Sequence, residues 1–260
     1  MTVEIIPLLL AALSGGLVAL LLTLFGGGGS VLAVPLLLYV VGVSDPHVAI
    51  GVAAAGVALN ALTALAGHAS AGRVRWPCAT LFAVTGAIGA WLGSSLAKAI
   101  DGHQLLLIFA VAMGAVGVSM LRPARAVDRP EPRLNWQMSP RVGVTGAGVG
   151  SAAGFFGIGG GFLIVPGFMV STGMTLATAQ ATSLLSVAAF GVTTAVNYGL
   201  SGWVDPGLVG AMTAGGIAGT LAGLPLARRL GATGALGRRL FAGLILIVSV
   251  YVACRAIIDL

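Results

Sequence analysis

LFGGGGSVLAVPLLL occupies residues 24–38. Four glycines and a serine interrupt apolar sequence there, although glycine costs a helix interior about 1 kcal/mol relative to alanine. The chain around this stretch is built for lipid. Of its 260 residues, 58% are hydrophobic and 8% charged, against roughly a quarter charged in soluble domains. No charged residue lies between 5 and 44, and residues 142–204 form a run of 63 without one. A hydrocarbon core about 30 Å thick takes about 20 helical residues per crossing, so these runs hold several segments. The quoted stretch therefore breaks a membrane helix, and the way the chain leaves the break sets the topology.

The break occurs twice. FGGGGSVLAVP at residues 25–35 recurs as FGIGGGFLIVP at 156–166, an offset of 131. With one residue of slippage, Gly72-Arg73-Val74 matches Gly202-Trp203-Val204, and residues 93–98 match 223–228. The chain divides accordingly into a membrane repeat at 1–121, a linker at 122–141 and a second membrane repeat at 142–260. Each repeat holds five apolar segments: 5–25, 31–43, 48–67, 77–97 and 105–121, then 142–156, 162–172, 176–198, 207–227 and 240–256. The second segment of each set, at about 1.5 Å per residue, spans only about 20 Å and falls short of a crossing. Asp45-Pro46 and Asp205-Pro206 mark helix starts, with the carboxylate capping free N–H groups and proline at the first helical position.

Charge orients these segments. The chain carries 13 Lys and Arg against 7 Asp and Glu, an excess that in a membrane protein reports sidedness and not nucleic-acid binding. The linker holds five Arg and is placed in the cytoplasm. If each glycine break turns the chain back to the side it came from, Arg73, Arg75, Arg228, Arg229, Arg238 and Arg239 also fall inside. Lys98 and Arg255 then lie outside with Glu4, Asp45, Asp101, Asp205 and Asp259. The basic loop at Gly72 is inside and its copy at Gly202 outside, so the repeats are expected to be inverted. The predicted fold is all-α and polytopic: two inverted repeats, each a re-entrant broken-helix hairpin plus three full transmembrane helices. Both termini are expected to be extracytoplasmic. The N-terminus carries Glu4 in place of a basic region, so the first segment reads as part of the mature protein.

Inverted repeats with broken helices are a recurring plan of secondary transporters, with substrate near the midplane. Backbone N–H groups at the start of a short helix inside the bilayer need partners. Glycine lets an anion approach them closely, and the helix N-terminus supplies partial positive charge. Gly28, Gly29 and Ser30 in the first break, and Gly159, Gly160 and Gly161 in the second, are candidate substrate contacts on this ground. Gln180, Thr182, Ser183, Asn60 and Asn197 are the side-chain candidates. The first-repeat mates of Thr182 and Ser183 are Val52 and Ala53, so the second half supplies more donors. Gly146, Gly150 and Gly154, like Gly215, Gly219 and Gly223, are spaced by four and read as helix packing. His47 and His68 read as residues near the membrane surfaces.

Other chemistries find no footing. Residues 148–153 fit GxGxxA, but no strand precedes them. The glycine run lacks the Lys-Ser/Thr of a phosphate loop. Cys78 and Cys254 read as apolar residues outside any CxxC pair. Three scattered His and no carboxylate within a segment leave nothing to hold a metal or activate a nucleophile, so neither enzyme activity nor a cofactor is expected.

The twin glycine motifs with Pro35 and Pro166, Ala-Thr-Ser-Leu at 181–184, and the Gly-x-Val loops at Gly72 and Gly202 resemble the sulfite exporter TauE/SafE family over essentially the whole chain. The resemblance implies a carrier in a prokaryotic inner membrane for small sulfur oxyanions or organosulfonates such as sulfite or sulfoacetate. Ser30 stands where that family usually has another glycine, and Gly51-Val52-Ala53 replaces Gly-Thr-Ser. The expected partners are thus a small anion and the lipid bilayer, with no nucleic acid. Uptake of another small anion or of a neutral sulfur compound is the alternative, and an intramembrane enzyme or scaffold a remote one.

Overall fold

The computed structural model describes residues 5–121, 138–157, 161–230 and 234–258, and every regular element among them is helical. Helix α1 (Ile5–Phe25) runs into a 3₁₀ stretch (Gly26–Leu32), a single turn α2 (Ala33–Leu36) and a π turn (Leu37–Val41). Then come α3 (Pro46–Ser70), α4 (Trp76–Ala97), α5 (Gly102–Leu121), α6 (Ser139–Phe156), α7 (Gly161–Thr172), α8 (Leu176–Gly199), α9 (Pro206–Leu230) and α10 (Gly234–Ile258). Five spans, in α1, α3, α4, α8 and α9, are long and apolar enough to cross a membrane. Leu13, Val111, Val144, Val170 and Ile247 stand exposed on the bundle's outside, a surface suited to lipid.

The helix starts follow the expected chemistry. Asp45 accepts from His47 N–H at 2.7 Å, and Asp205 from Gly207 N–H at 2.7 Å and Leu208 N–H at 3.1 Å. The loops end on paired glycines: Gly72 and Gly202 have φ of 67° and 76°, and Gly42 and Gly173 have 85° and 75°. A residue with a Cβ is strained in that region.

Packing pairs the two halves with each other. Helix α1 lies on α9 and its repeat mate α6 on α4; α3 lies on α8, and α5 on α10. Exchanging the halves carries this set onto itself. Glycines bring the first two pairs to backbone contact. A Cβ on Gly215 would collide with the Ala12 carbonyl and one on Gly219 with that of Gly16, while Gly150 meets Gly86 and Gly154 meets Ala90. The spacing-by-four glycines are therefore packing residues, as expected.

The α3–α8 pair is antiparallel. Gly51, early in α3, abuts the Trp203 carbonyl beyond the end of α8, whereas Arg75 N–H, past the end of α3, donates to Thr182 Oγ1 near the start of α8 at 3.2 Å. Asp45, Asp101 and Asp205 thus gather at one end of the bundle and Arg73 and Arg75 at the other. The chain sets out along α1 from the acidic end, where Leu8 neighbours Gly207. By Gly42 it is back there, beside Pro46, His103 and Arg255. In the second half, Gly167 of α7 returns to Thr145 and Val149 of α6. Each break is therefore the bend of a hairpin.

Candidate functional site

The first break packs against the second short helix: the 3₁₀ stretch lies on α7 and also touches α1 and α8. Ser30 is fully buried there, within a wall of buried Val31, Leu32, Ala33 and Val34.

The breaks differ in backbone. A short helix with bare N–H groups was the expectation for residues 31–43, yet the first glycine run winds as a 3₁₀ helix that follows α1 directly and folds back onto it. In that geometry each N–H bonds the carbonyl three residues back. None of residues 29–32 has positive φ. Glycine serves close approach here: a Cβ on Gly29 would strike the backbone at Leu21 and Leu22 of α1. The second break ends α6 on Gly157 at φ 65°, and α7 begins at Gly161. Helix α7 packs against the first break, and the first turn of any helix leaves backbone N–H groups without an intrahelical partner. Gly159 and Gly160 lie outside the described residues. Pro35 is buried in α2 and Pro166 sits inside α7; each removes one backbone donor from its short helix, and the π turn follows Pro35 within two residues.

The side-chain candidates divide into satisfied and unsatisfied groups. Thr182 Oγ1 accepts from Arg75 N–H, and Ser183 Oγ donates to the Gln180 carbonyl at 2.8 Å. Asn197 Nδ2 is held by Ser94 Oγ at 2.7 Å, Ser95 Oγ at 2.9 Å and the Trp91 carbonyl at 3.2 Å. It clamps α8 to α4 near the acidic end, where Lys98 Nζ also donates to the Asn197 carbonyl and Ser201 Oγ, both at 3.0 Å. Asn60 is the opposite case: it is fully buried in mid-α3, and neither its Nδ2 nor its Oδ1 has a partner among the described residues. Ser186 Oγ and Thr194 Oγ1 on α8 are likewise buried without one. A buried amide or hydroxyl left bare costs about 1–3 kcal/mol, so these groups mark polar positions that the packing alone leaves unpaired.

Two features went unnoticed in the sequence. At the acidic end the His47 ring stacks on Trp203 (centroids 4.7 Å, 18° between planes), with Tyr198 beneath it at 6.1 Å. This cap joins the start of α3 to the loop after α8; its repeat mates are Ala177, Arg73 and His68, so the other end lacks it. Beside it, a cavity of about 340 Å³ opens between Tyr39, Ser44, His103 and Arg255. The signal available in the sequence was the mismatch between repeat mates, which marks where one half does what the other does not. Among the described residues no group of three or more His, Cys, Asp or Glu is gathered to hold a metal.

The family model for Sulfite exporter TauE/SafE matches residues 11–252. A "Probable membrane transporter protein" of Xylella fastidiosa (strain Temecula1 / ATCC 700964) is 45% identical over 244 residues, 94% of each chain. A "Probable membrane transporter protein YunE" of Bacillus subtilis (strain 168) is 24% identical over 205 residues, 70% of this chain and 75% of that one. No solved structure matches significantly.

Proposed function

We propose, since this chain belongs to the sulfite exporter TauE/SafE family of membrane transporters, that it exports a small sulfur-containing anion, sulfite or an organosulfonate such as sulfoacetate. The observation that carries the reading is the packing of the first glycine break against α7, the short helix that follows the second break. An anion seated there meets the N-terminus of α7 from Gly161, the Ser30 hydroxyl and the backbone around Gly28 and Gly29, with Gln180, Thr182 and Ser183 at the start of α8 on the second-half side. Gly159 and Gly160 complete the site by their place in the sequence. No Lys or Arg is needed, because oriented backbone dipoles in a dry site act at low dielectric.

The repeats are inverted across the membrane in this reading, and the breaks are re-entrant hairpins. The antiparallel course of the mates α3 and α8 supports it, as does the gathering of acids at one end and of Arg73 and Arg75 at the other. The cytoplasmic side is then the arginine end. Transport follows from rocking one half against the other, which exposes the site to each side in turn. An interior-negative membrane favours outward movement of an anion by about 2.3 kcal/mol per charge at 100 mV, so potential alone drives efflux.

Proteoliposomes loaded with sulfite or sulfoacetate test the proposal. Efflux should saturate with substrate and quicken as the interior is made negative with a potassium diffusion potential. If neither anion moves, and neither raises the protein's melting temperature in detergent, the substrate assignment is wrong.

A further inference from the structure

The unpartnered amide of Asn60 lies in the seam between α3 and α9. Its side chain sits flat against Gly216: a Cβ built there would fall on the amide itself. One turn along, Thr63 Oγ1 donates to the Asn60 carbonyl at 2.7 Å and meets Thr220 Oγ1 of α9 at 3.3 Å. Asn60, Thr63 and Thr220 therefore form one polar cluster across the seam, in a region whose other neighbours are apolar, Met212 among them.

The repeat supplies an internal control. The mate of Asn60 is Phe190, that of Gly216 is Gly86, and that of Thr220 is Ala90. In the second half the Phe190 ring packs on Gly86 and joins a stack with Phe82 (6.2 Å), which stacks in turn on Phe168 of α7 (4.3 Å). The same glycine-backed position thus holds a fully apolar residue in one half and an amide with four unused hydrogen-bonding sites in the other. Packing does not call for the amide, since the mate fills the position with hydrocarbon. Folding does not favour it either, because a buried amide without a protein partner destabilises the closed seam.

Resting on the transport reading above, we propose that Asn60 is the specificity-determining contact of the carrier, hydrogen-bonding the oxyanion when α9 swings away from α3. In the closed seam the amide is buried against Gly216. Opening the seam exposes Nδ2 as a donor to an anionic oxygen, with the Thr63 and Thr220 hydroxyls one turn away as further donors. Oδ1 accepts from a proton the substrate carries or from its water. The site therefore favours a small oxyanion that presents both acceptor and donor over a halide, which offers no donor and no fixed geometry. The Phe190 side stays closed as a packed hinge.

Asn60→Leu tests this, since leucine is close in size and fills the site with hydrocarbon. The substrate-free variant should melt at the wild-type temperature or higher, while the melting shift induced by sulfite vanishes and KM for efflux rises at least tenfold. Asn60→Asp, which sets a negative charge at the same place, should lose sulfite response more completely. A substrate-free melting temperature well below wild type would show that the amide is a structural bond, and wild-type KM with a wild-type sulfite shift would show that it touches no substrate; either overturns the proposal. If the wild-type protein itself moves no sulfur oxyanion, the transport reading fails by itself. The substrate-free melting temperature of Asn60→Leu then still decides whether the amide is unpaired: a fall overturns the inference and a rise upholds its premise.

Discussion

Asn197 Nδ2 donates to Ser94 Oγ at 2.7 Å, and this bond joins α8 of one half to α4 of the other. The two serines are themselves anchored, Ser94 Oγ to the Trp91 carbonyl at 3.0 Å and Ser95 Oγ to the same carbonyl at 2.8 Å. All the amide's donor capacity is used within the bundle. Its chemical twin, Asn60, uses none.

The two asparagines should therefore respond in opposite ways. Asn197→Ala removes the amide that ties α8 to the buried Ser94 hydroxyl and should cost about 1 kcal/mol of stability, read as a lower melting temperature in detergent. Flux per folded molecule should stay near wild type. A large rise in KM with unchanged stability would return Asn197 to the substrate site.

Glycines at the paired interfaces should tolerate no side chain, whereas glycines facing open space should. Gly215→Ala puts a methyl into the Ala12 carbonyl, and Gly150→Ala puts one into Gly86; overpacking of this kind costs about 1–3 kcal/mol. Gly148, on the same helix as Gly150, has nothing within 4 Å of its missing Cβ. Gly148→Ala should be neutral or stabilise by up to about 1 kcal/mol. Thermal melts of the three variants check this, and equal losses at Gly148 and Gly150 would contradict the close-approach account.

The cap at Asp205 serves two N–H groups and that at Asp45 one. Replacing an N-cap by alanine costs about 1 kcal/mol. Asp205→Ala should lower stability at least as much as Asp45→Ala, and Asp205→Asn, which keeps the accepting oxygen, should recover most of the loss. Melting temperatures of the three variants decide it.

Sidedness can be read by thiol labelling in a background with Cys78→Ala and Cys254→Ser. Ser201→Cys, exposed at the acidic end, should react with a membrane-impermeant maleimide on intact cells. Ser70→Cys, exposed at the arginine end, should react only after permeabilisation. Equal labelling of both from outside would refute inverted repeats with re-entrant breaks.

Much of the architecture is legible in the residues. The doubled glycine motif, the Asp-Pro helix starts and the loop glycines Gly72 and Gly202 act through neighbours a few positions away, so their conformations are written locally. The glycines spaced by four were readable as packing residues because a helix places such residues on one face, whatever lies opposite. The form of the first break was not legible. Four adjacent glycines permit an open turn or a tight coil equally well, and the coil prevailed because Gly29 is pressed onto α1.

The roles of the polar side chains were less legible still. Asn60 and Asn197 look equivalent in the sequence: each lies within an apolar segment of its repeat. Which of them is satisfied depends on what the opposing helix presents, Ser94 and Ser95 in one case and the bare backbone of Gly216 in the other. The sequence by itself determined a membrane-embedded chain of two repeats, because composition, periodicity and short-range caps suffice for that. Only the tertiary structure decided which helices of the two halves touch, what the first break packs against and which amide is left unpaired, because hydrogen bonding and burial are settled between residues a hundred or more positions apart.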